Sequence, residues 1–321
     1  MKTKLKLSVA CGIAALLVGF NVQAQEKTFN IGGDVELDLT AKGGDADTSY
    51  YNGGRIKLNA TGELKGDDYF IKGVAQPLVP FKGSDLGYDD VYLQMGRSGW
   101  DVQIGRFEGV DLFPVGKDTV AEHAGSMSPY GTNAARGRKD SVIHTAVHLK
   151  PNDAMNFELG VMAAKNTSDF DKFAAVRPAV TYKAGAVTVR AGLESVKSTV
   201  DDVETSHTGF GVGAGFDVAG GTANASLSKK NADNDGTDVT SVALNFTQGP
   251  WGVGYVTSKE DYTGADAKLN TFYGAYTVPL FGAKDATVTF AASTSKATDV
   301  GGVDGTDDKV NAARVRFNYT F

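Results

Sequence analysis

The chain contains little cysteine and little proline, and it lacks long apolar runs outside its first two dozen residues. A single cysteine, Cys11, occurs among 321 residues, so a disulfide framework and a zinc site built from thiolates are excluded. No later apolar run is long enough to cross a bilayer as a helix. These absences exclude a disulfide scaffold and a helical membrane protein with several spans.

Residues 1–24 have the features of a secretory signal peptide. Three lysines among the first six residues precede an apolar run over 7–20, and residues 22–24 place small side chains at a cleavage spacing. We expect residues 25–321 to form the mature chain, which has no cysteine. Removing three of the 32 basic residues leaves 29 against 38 acidic residues, a formal charge of −9. This charge predicts that nucleic acid is not a partner.

Apolar and polar side chains alternate along almost all of the remaining sequence. In the first segment, Val35, Leu37 and Leu39 share one face, and Glu36 and Asp38 share the other. Alternation at every second residue is the pattern of a two-faced β-strand. The alternating segments are about ten residues long, which is the length of a membrane-spanning strand, and we count about sixteen of them.

The connections between these segments alternate between tight turns and longer acidic loops. Residues 97–99 and 219–221 are examples of the turns, and residues 42–53, 229–238 and 297–309 are examples of the loops. This arrangement is typical of an outer-membrane barrel, which must close on itself because every amide in hydrocarbon needs a partner. The sequence therefore predicts an all-β protein, a closed antiparallel transmembrane β-barrel of about sixteen strands. A soluble sandwich or propeller would explain the alternation but not the loop lengths.

The last strand resembles a known assembly signature. Apolar and polar residues alternate up to Phe321, as they do at the C-terminus of Gram-negative outer-membrane barrels. In those proteins the terminal phenylalanine is read by the barrel-assembly machinery. The resemblance implies that Phe321 is an assembly signal and that this machinery is a partner.

The longest connection, residues 107–139, resembles the third loop of the trimeric porins. It follows Ile104-Gly105-Arg106, and the stretch 105–119 is similar to the sugar-transporting porins of the raffinose glycoporin type. The resemblance implies a homotrimer in the outer membrane of a Gram-negative bacterium, in contact with lipid and lipopolysaccharide. It also implies that the third loop folds inward and narrows the lumen, through which small sugars or ions pass. An external loop lying over the barrel mouth is the alternative placement.

Candidate pore residues combine charge with aromatic surface. On the loop, the predicted constriction residues are Glu108, Asp111, Phe113, Asp118 and Glu122. Strand parity predicts basic side chains on the facing pore wall, and these are Arg55, Lys57, Arg136, Arg138, Arg177, Arg314 and Arg316. In the porins, acidic loop residues face a ladder of basic wall residues and set a field across the opening. Phe107, Phe113 and Tyr130 are expected to offer aromatic faces to a sugar.

Other chemistry is weakly represented. His144 and His148 share the predicted lumen face with Asp140, but no Gly-x-Ser-x-Gly turn is present and no third metal ligand is specified. Residues 231–236 match only the first half of a calcium loop. We therefore predict a passive porin biased towards oligosaccharides, without cofactor, metal or enzymatic activity. The alternatives are a general ion-conducting porin, an outer-membrane hydrolase and a structural barrel.

Overall fold

The computed structural model describes residues 26–45, 47–83, 86–233 and 236–321. The predicted signal peptide and its cleavage position lie outside these residues. Within them, no helix has the length and apolar character needed to span a membrane. The described residues form sixteen strands, each antiparallel to its neighbours in sequence, and β1 pairs with β16 to close the barrel. The predicted barrel is confirmed.

The strands and three short 3-10 turns account for most of the described chain. The strands are β1 (Glu26–Gly44), β2 (Ser49–Lys65), β3 (Phe70–Pro80), β4 (Gly87–Arg97), β5 (Trp100–Arg106), β6 (Ile143–Asn152), β7 (Met155–Lys165), β8 (Lys172–Ala184), β9 (Val187–Val200), β10 (Val203–Val218), β11 (Gly221–Ala232), β12 (Asp238–Gln248), β13 (Trp251–Asp261), β14 (Ala267–Pro279), β15 (Ala286–Thr298) and β16 (Asp308–Thr320). The 3-10 turns are Ala124–Ser126, Leu280–Gly282 and Val300–Gly302.

The alternation in the sequence becomes an apolar outer face and a polar inner face. Leu244 is 49% exposed, whereas its neighbour Asn245 is 6% exposed. Side chains like Leu244 form a band around the outside of the barrel: Ile31, Leu39, Leu58, Leu93, Leu149, Leu159, Leu193, Phe210, Leu244, Val253, Phe272, Phe290 and Phe317. An exposed apolar surface of this extent is stable in hydrocarbon and not in water.

Several predicted loops are partly strand. β1 continues to Gly44 and β2 begins at Ser49, so most of the predicted loop 42–53 is strand. β11 likewise continues to Ala232, inside the predicted loop 229–238. Apart from Tyr50 and Tyr51, these strand ends carry small or polar side chains, because they extend beyond the apolar band. The change in polarity therefore marks the end of the band and not the end of the strand.

The barrel closes at the seam between β1 and β16, and the last residue extends that seam. The Phe321 N–H donates to the Gly33 carbonyl at 3.0 Å, and the Gly33 N–H donates to the Phe321 carbonyl at 2.9 Å. A Cβ atom on Gly33 would lie 2.8 Å from the Phe321 ring. The ring therefore occupies a position that only a glycine at 33 leaves open, and Phe321 has a structural role at the seam.

Candidate functional site

The longest connection, residues 107–142, lies between β5 and β6 and is called the long loop below. Its main chain bonds to side chains on strands far from its two ends. Val110 N–H donates to Glu158 on β7 at 3.0 Å, and Ala124 N–H donates to Ser295 on β15 at 2.9 Å. Both acceptors have the parity of the polar face. The long loop therefore packs against the polar face of the barrel strands.

A buried charged cluster holds the base of the long loop. Arg177 on β8 lies 3.7 Å from Glu158 and 3.5 Å from Glu194 on β9. Arg177 Nη2 donates to the Val110 carbonyl at 2.8 Å, and Glu194 accepts a hydrogen bond from the Ala135 N–H at 2.8 Å. Buried charges require such partners because their desolvation is costly. The prediction that Arg177 lines the open pore wall is wrong, since the long loop covers it.

His148 extends this cluster towards β5. Its Nδ1 donates to Asp101 at 2.6 Å, and its Nε2 lies 3.3 Å from Glu158. Lys150 also donates to Asp101, at 2.7 Å. Asp140, which sequence parity had grouped with the histidines, lies instead in the long loop beside Arg106 at 3.7 Å. His148 therefore links two wall carboxylates beneath the loop.

A row of glycines on β10 receives the long loop. Leu112 and Thr132 are fully buried against this row. A Cβ atom on Gly211 would lie 2.9 Å from Leu112 Cβ and 2.9 Å from Thr132 Oγ1. On β9, a Cβ atom on Gly192 would lie 2.8 Å from Leu112 Cδ1. The absence of side chains at Gly192 and Gly211 thus leaves the space that Leu112 and Thr132 occupy.

The aromatic rings of the long loop are anchors and not pore surfaces. Phe113 is 1% exposed and packs with Ala243, Val256 and Tyr273. Phe107 is equally buried and stacks on His144, with ring centroids 4.0 Å apart. The prediction that these two rings face the permeation path is wrong. Packing a ring against the wall removes its apolar surface from water, which stabilises the protein more than leaving the ring in a wet lumen.

His123 and Tyr130 form a polar anchor within the same loop. His123 Nε2 lies 2.9 Å from the Tyr130 hydroxyl, and Nδ1 lies 2.9 Å from Thr271 Oγ1 on β14. Burial lowers the pKa of His123 to about 4. Burial also raises the pKa of Tyr130 to about 12. Both side chains are therefore neutral near neutral pH, because burial disfavours their charged forms.

The wall that faces away from the long loop's contacts consists of β1–β5. Within the described residues, the main chain of the loop forms hydrogen bonds to β6–β9, β11, β12 and β14–β16. In the same part of the chain, none of its main-chain hydrogen bonds reaches β1–β5. The polar face of β1–β5 is called the uncovered wall below.

Ion pairs join one edge of the long loop to the seam side of the barrel. Asp118 accepts hydrogen bonds from Arg314 at 2.9 Å and from Arg316 at 3.0 Å. Arg316 also forms a two-pronged pair with Asp38, in which both distances are 2.7 Å. Arg55 lies 3.2 Å from Glu36 on the neighbouring strand. The predicted wall residues Arg55, Arg314 and Arg316 are thus placed on the polar face.

Ion pairs also join the opposite edge of the loop to the uncovered wall. Lys57 lies 3.4 Å from Asp89 on β4. Arg138 lies 2.6 Å from Asp89, and Arg136 lies 3.3 Å from Glu108 and 3.5 Å from Asp111. Arg136 and Arg138 were predicted as wall residues, which is wrong, because both lie in the returning half of the loop.

Together these side chains form what we call the charged belt. Its members are Asp34, Glu36, Asp38, Arg55, Lys57, Asp89, Asp90, Glu108, Asp111, Asp118, Arg136, Arg138, Arg314 and Arg316. Eight acidic and six basic residues give the belt a formal charge of −2. The predicted separation of an acidic loop from a basic wall is wrong, because both signs occur on both sides.

Glu122 lies outside the charged belt. It pairs with Lys42 near the end of β1 at 2.7 Å, beside the loop end of the barrel. Sequence reasoning identified this acid but missed the acids of β1 and β4, which are belt members. Their signal was available, because Asp34, Glu36 and Asp38 share the polar parity of the first strand. Within the described residues, no group of three or more metal-ligating side chains is arranged to hold a metal ion.

Comparison with solved structures shows the fold. An anion-selective porin from Comamonas acidovorans superposes with a TM-score of 0.73 at 14% identity, covering 92% of this chain and 100% of that chain. OmpT, an outer membrane protein of Vibrio cholerae in its trimer form, gives 0.69 at 15% identity, covering 92% and 99%. A triple mutant of Rh. blastica porin gives 0.60 at 15% identity, covering 91% and 100%.

Comparison of the sequence shows the family. No curated protein matches the sequence. The family model described as porin-like glycoporin RafY matches residues 18–321, which is nearly the whole chain. The chain therefore belongs to the family described as porin-like glycoporin RafY, and it is a β-barrel of the Gram-negative outer membrane.

Proposed function

We propose that this barrel is a passive porin whose opening lies between the long loop and the uncovered wall. The observation that carries the proposal is the one-sided attachment of the loop. Hydrogen bonds and buried side chains fix it to the strands from β6 to β16, while β1–β5 are reached by the ion pairs of the charged belt. The loop thus narrows the lumen, and the belt borders the remaining path.

The charged belt suits small hydrophilic solutes. Its paired carboxylates and guanidinium groups keep a hydrated rim, so water and polar solutes pass without losing all of their hydrogen bonds. The two surplus carboxylates favour cations weakly, because charges of opposite sign lie within a Debye length of each other and largely cancel. It is part of this proposal that Glu108, Asp111 and Asp118 border the constriction, as the sequence predicts.

The bias towards oligosaccharides is supported by the family and not by aromatic surfaces. The rings of Phe107 and Phe113 are buried and offer no face to a sugar. The ionised side chains of the charged belt remain to bind its hydroxyl groups, and hydrogen bonds to charged groups are the stronger kind. A general ion-conducting porin is the second candidate. The burial of both rings favours it, since nothing aromatic from these two positions remains to recognise a sugar face.

The assembly we propose is a homotrimer surrounded by lipid and lipopolysaccharide and inserted by the barrel-assembly machinery. The Vibrio cholerae protein of similar fold is described in a trimer form. The apolar outer band of this chain supports contact with lipid. Conductance that increases by three equal steps at each insertion would support the trimer, and single independent steps would contradict it.

Single-channel recording of the purified protein in a planar bilayer tests the pore itself. We expect a steady ionic current, because the uncovered wall leaves a hydrated path. Absence of current would contradict the porin and favour a plugged structural barrel or an enzyme. Swelling of proteoliposomes in neutral sugars tests the bias. Swelling rates that follow solute size alone would contradict the bias towards oligosaccharides and favour the general ion-conducting porin.

Single-cysteine variants test where the opening lies, because residues 25–321 contain no cysteine. Thr61 lies on the polar face of β2 in the uncovered wall, whereas Ser228 on β11 is buried beside the Pro129 carbonyl of the long loop. A charged, membrane-impermeant thiol reagent should modify Thr61→Cys quickly and lower its conductance. It should leave the matched control Ser228→Cys unchanged, and the reverse order would contradict the proposed placement of the loop.

A further inference from the structure

A second polar space lies below the long loop, at the turn end of the barrel. It is a cleft of about 910 Å³ between loop residues 114–117 and the ends of β9–β12. The strand side includes Arg190, Asp217, Thr222 and Asn224. Short turns of outer-membrane barrels face the periplasm, so this cleft is on the exit side of the proposed opening. Its volume is in the range of small-molecule sites.

The charges in this cleft differ from those of the charged belt in one respect. Within the described residues, Arg190 has neither an ion pair nor a hydrogen bond. Lys117 Nζ donates to the Gly249 carbonyl at 3.1 Å, and Asp217 accepts a hydrogen bond from Thr222 at 3.0 Å. Neither pairs with an opposite charge in the described part of the chain. These ionised groups are available to a solute, whereas those of the belt are already paired.

The balance of charge favours a solute with one negative charge. Asp111, on the loop side of the cleft, is paired with Arg136 at 3.5 Å. The charged groups of the cleft lining that lack an ion pair within the described residues are therefore Lys117, Arg190 and Asp217, two cations against one carboxylate, which leaves an unpaired formal charge of +1. A neutral solute would leave Arg190 without a partner. A solute with several charges would meet the Asp217 carboxylate.

We propose that this cleft is a subsite for a sugar that carries one carboxylate, a uronic acid, on its way out of the pore. Arg190 binds the carboxylate, because the planar guanidinium matches it with two parallel hydrogen bonds. Asp217, Thr222 and Asn224 line the same space and can bind hydroxyl groups. The inference rests on the proposed porin function and names a solute class for it.

The test compares galacturonate with galactose as blockers of single-channel current, each added from the turn side of the barrel. In the wild type, galacturonate should block at a concentration about tenfold lower than galactose, since hydrogen bonds to charged groups commonly contribute a factor of this size or more. Arg190→Gln should remove this advantage without changing block by galactose. Arg190→Lys, which keeps the charge but not the planar fork, should retain part of it.

The matched control is Lys72→Gln. Lys72 also has the polar parity, lies near the turn end of β3 and has no ion pair within the described residues, but it belongs to the opposite wall. It should leave block by both sugars unchanged. Equal losses in Arg190→Gln and Lys72→Gln would overturn the subsite in favour of a general effect of charge.

Failure of the subsite and failure of the porin function are distinguishable in the same recording. A steady current that galacturonate blocks no better than galactose would overturn the subsite and leave the porin intact. Absence of any current would overturn both. A current that galacturonate blocks preferentially in the wild type and in Lys72→Gln, but not in Arg190→Gln, supports both.

Discussion

Replacing Gly211 by alanine would test how the long loop is held. The new Cβ atom would lie 2.9 Å from both Leu112 Cβ and Thr132 Oγ1. Both loop side chains are fully buried, so they cannot move into solvent unless the loop main chain moves. Overpacking a filled site costs about 1–3 kcal/mol. Alanine is otherwise tolerated better than glycine in a strand, so the cost falls on docking of the loop and not on the barrel.

The expected result is a displaced loop in an intact barrel. A cost of about 1–3 kcal/mol shifts the docking equilibrium roughly 5- to 150-fold. Because the loop can only move away from β10, it should approach the uncovered wall. Single-channel recordings of Gly211→Ala should therefore show lower mean conductance and greater fluctuation than the wild type, and Gly211→Val should show a larger effect of the same kind.

Gly213→Ala is the matched control, two residues along the same face of β10. Its Cβ atom would have Ser226 Oγ at 3.0 Å and Ala225 O at 3.3 Å as its nearest neighbours, and both belong to β11. It should leave conductance and the protease resistance of the loop unchanged. If Gly211→Ala also behaves like the wild type in both measurements, the glycine row does not hold the loop and the argument is refuted.

Four further outcomes are expected. Leu58→Arg, on the apolar band, should lower stability in urea titrations by about 2–4 kcal/mol, whereas Thr61→Arg on the polar face should not, and equal effects would mean that the register is wrong. Asp118→Asn removes a shared partner of two arginines, so the reversal potential in a salt gradient should shift towards anions at low salt and much less at about 1 M; an unchanged potential would contradict the role of the belt. The pKa of His123 is lowered from 6.5 to about 4, so its contribution to loop docking should be complete above pH 6.5 and decline as the pH falls towards 4; current fluctuation should increase over that range, and His123→Gln should abolish the pH dependence. Phe321→Ala keeps the seam hydrogen bonds, so it should reduce the amount reaching the outer membrane more than it impairs refolding in detergent, and unchanged cellular levels would refute the assembly role.

The barrel was predictable because lipid constrains every spanning residue. A side chain such as Leu244 faces hydrocarbon and its neighbour Asn245 does not, so apolar and polar residues alternate along the sequence. The bulge in β3 interrupts this alternation. The register shifts between Ala75 and Pro77, and the alternation of apolar residues is accordingly unclear in that strand.

The site was only partly predictable, because parity assigns a face but not its neighbours. Arg177 does lie on the polar face, yet the long loop buries it between Glu158 and Glu194. Arg136 and Arg138 were assigned to a strand that begins only at Ile143. Phe113 was interpreted from composition as a sugar-binding surface, but the wall offers it an apolar site that the sequence of the loop does not reveal.

The sequence by itself determined the fold class, the outer apolar band and the polar character of the lumen, since each depends on a local alternation between two solvents. Tertiary structure alone decided which wall the long loop covers. That choice depends on contacts such as the pair between Asp118 and Arg314, which are 196 residues apart. The sequence of the loop has no repeating pattern that indicates which strands it contacts, and those contacts form only once the barrel has closed.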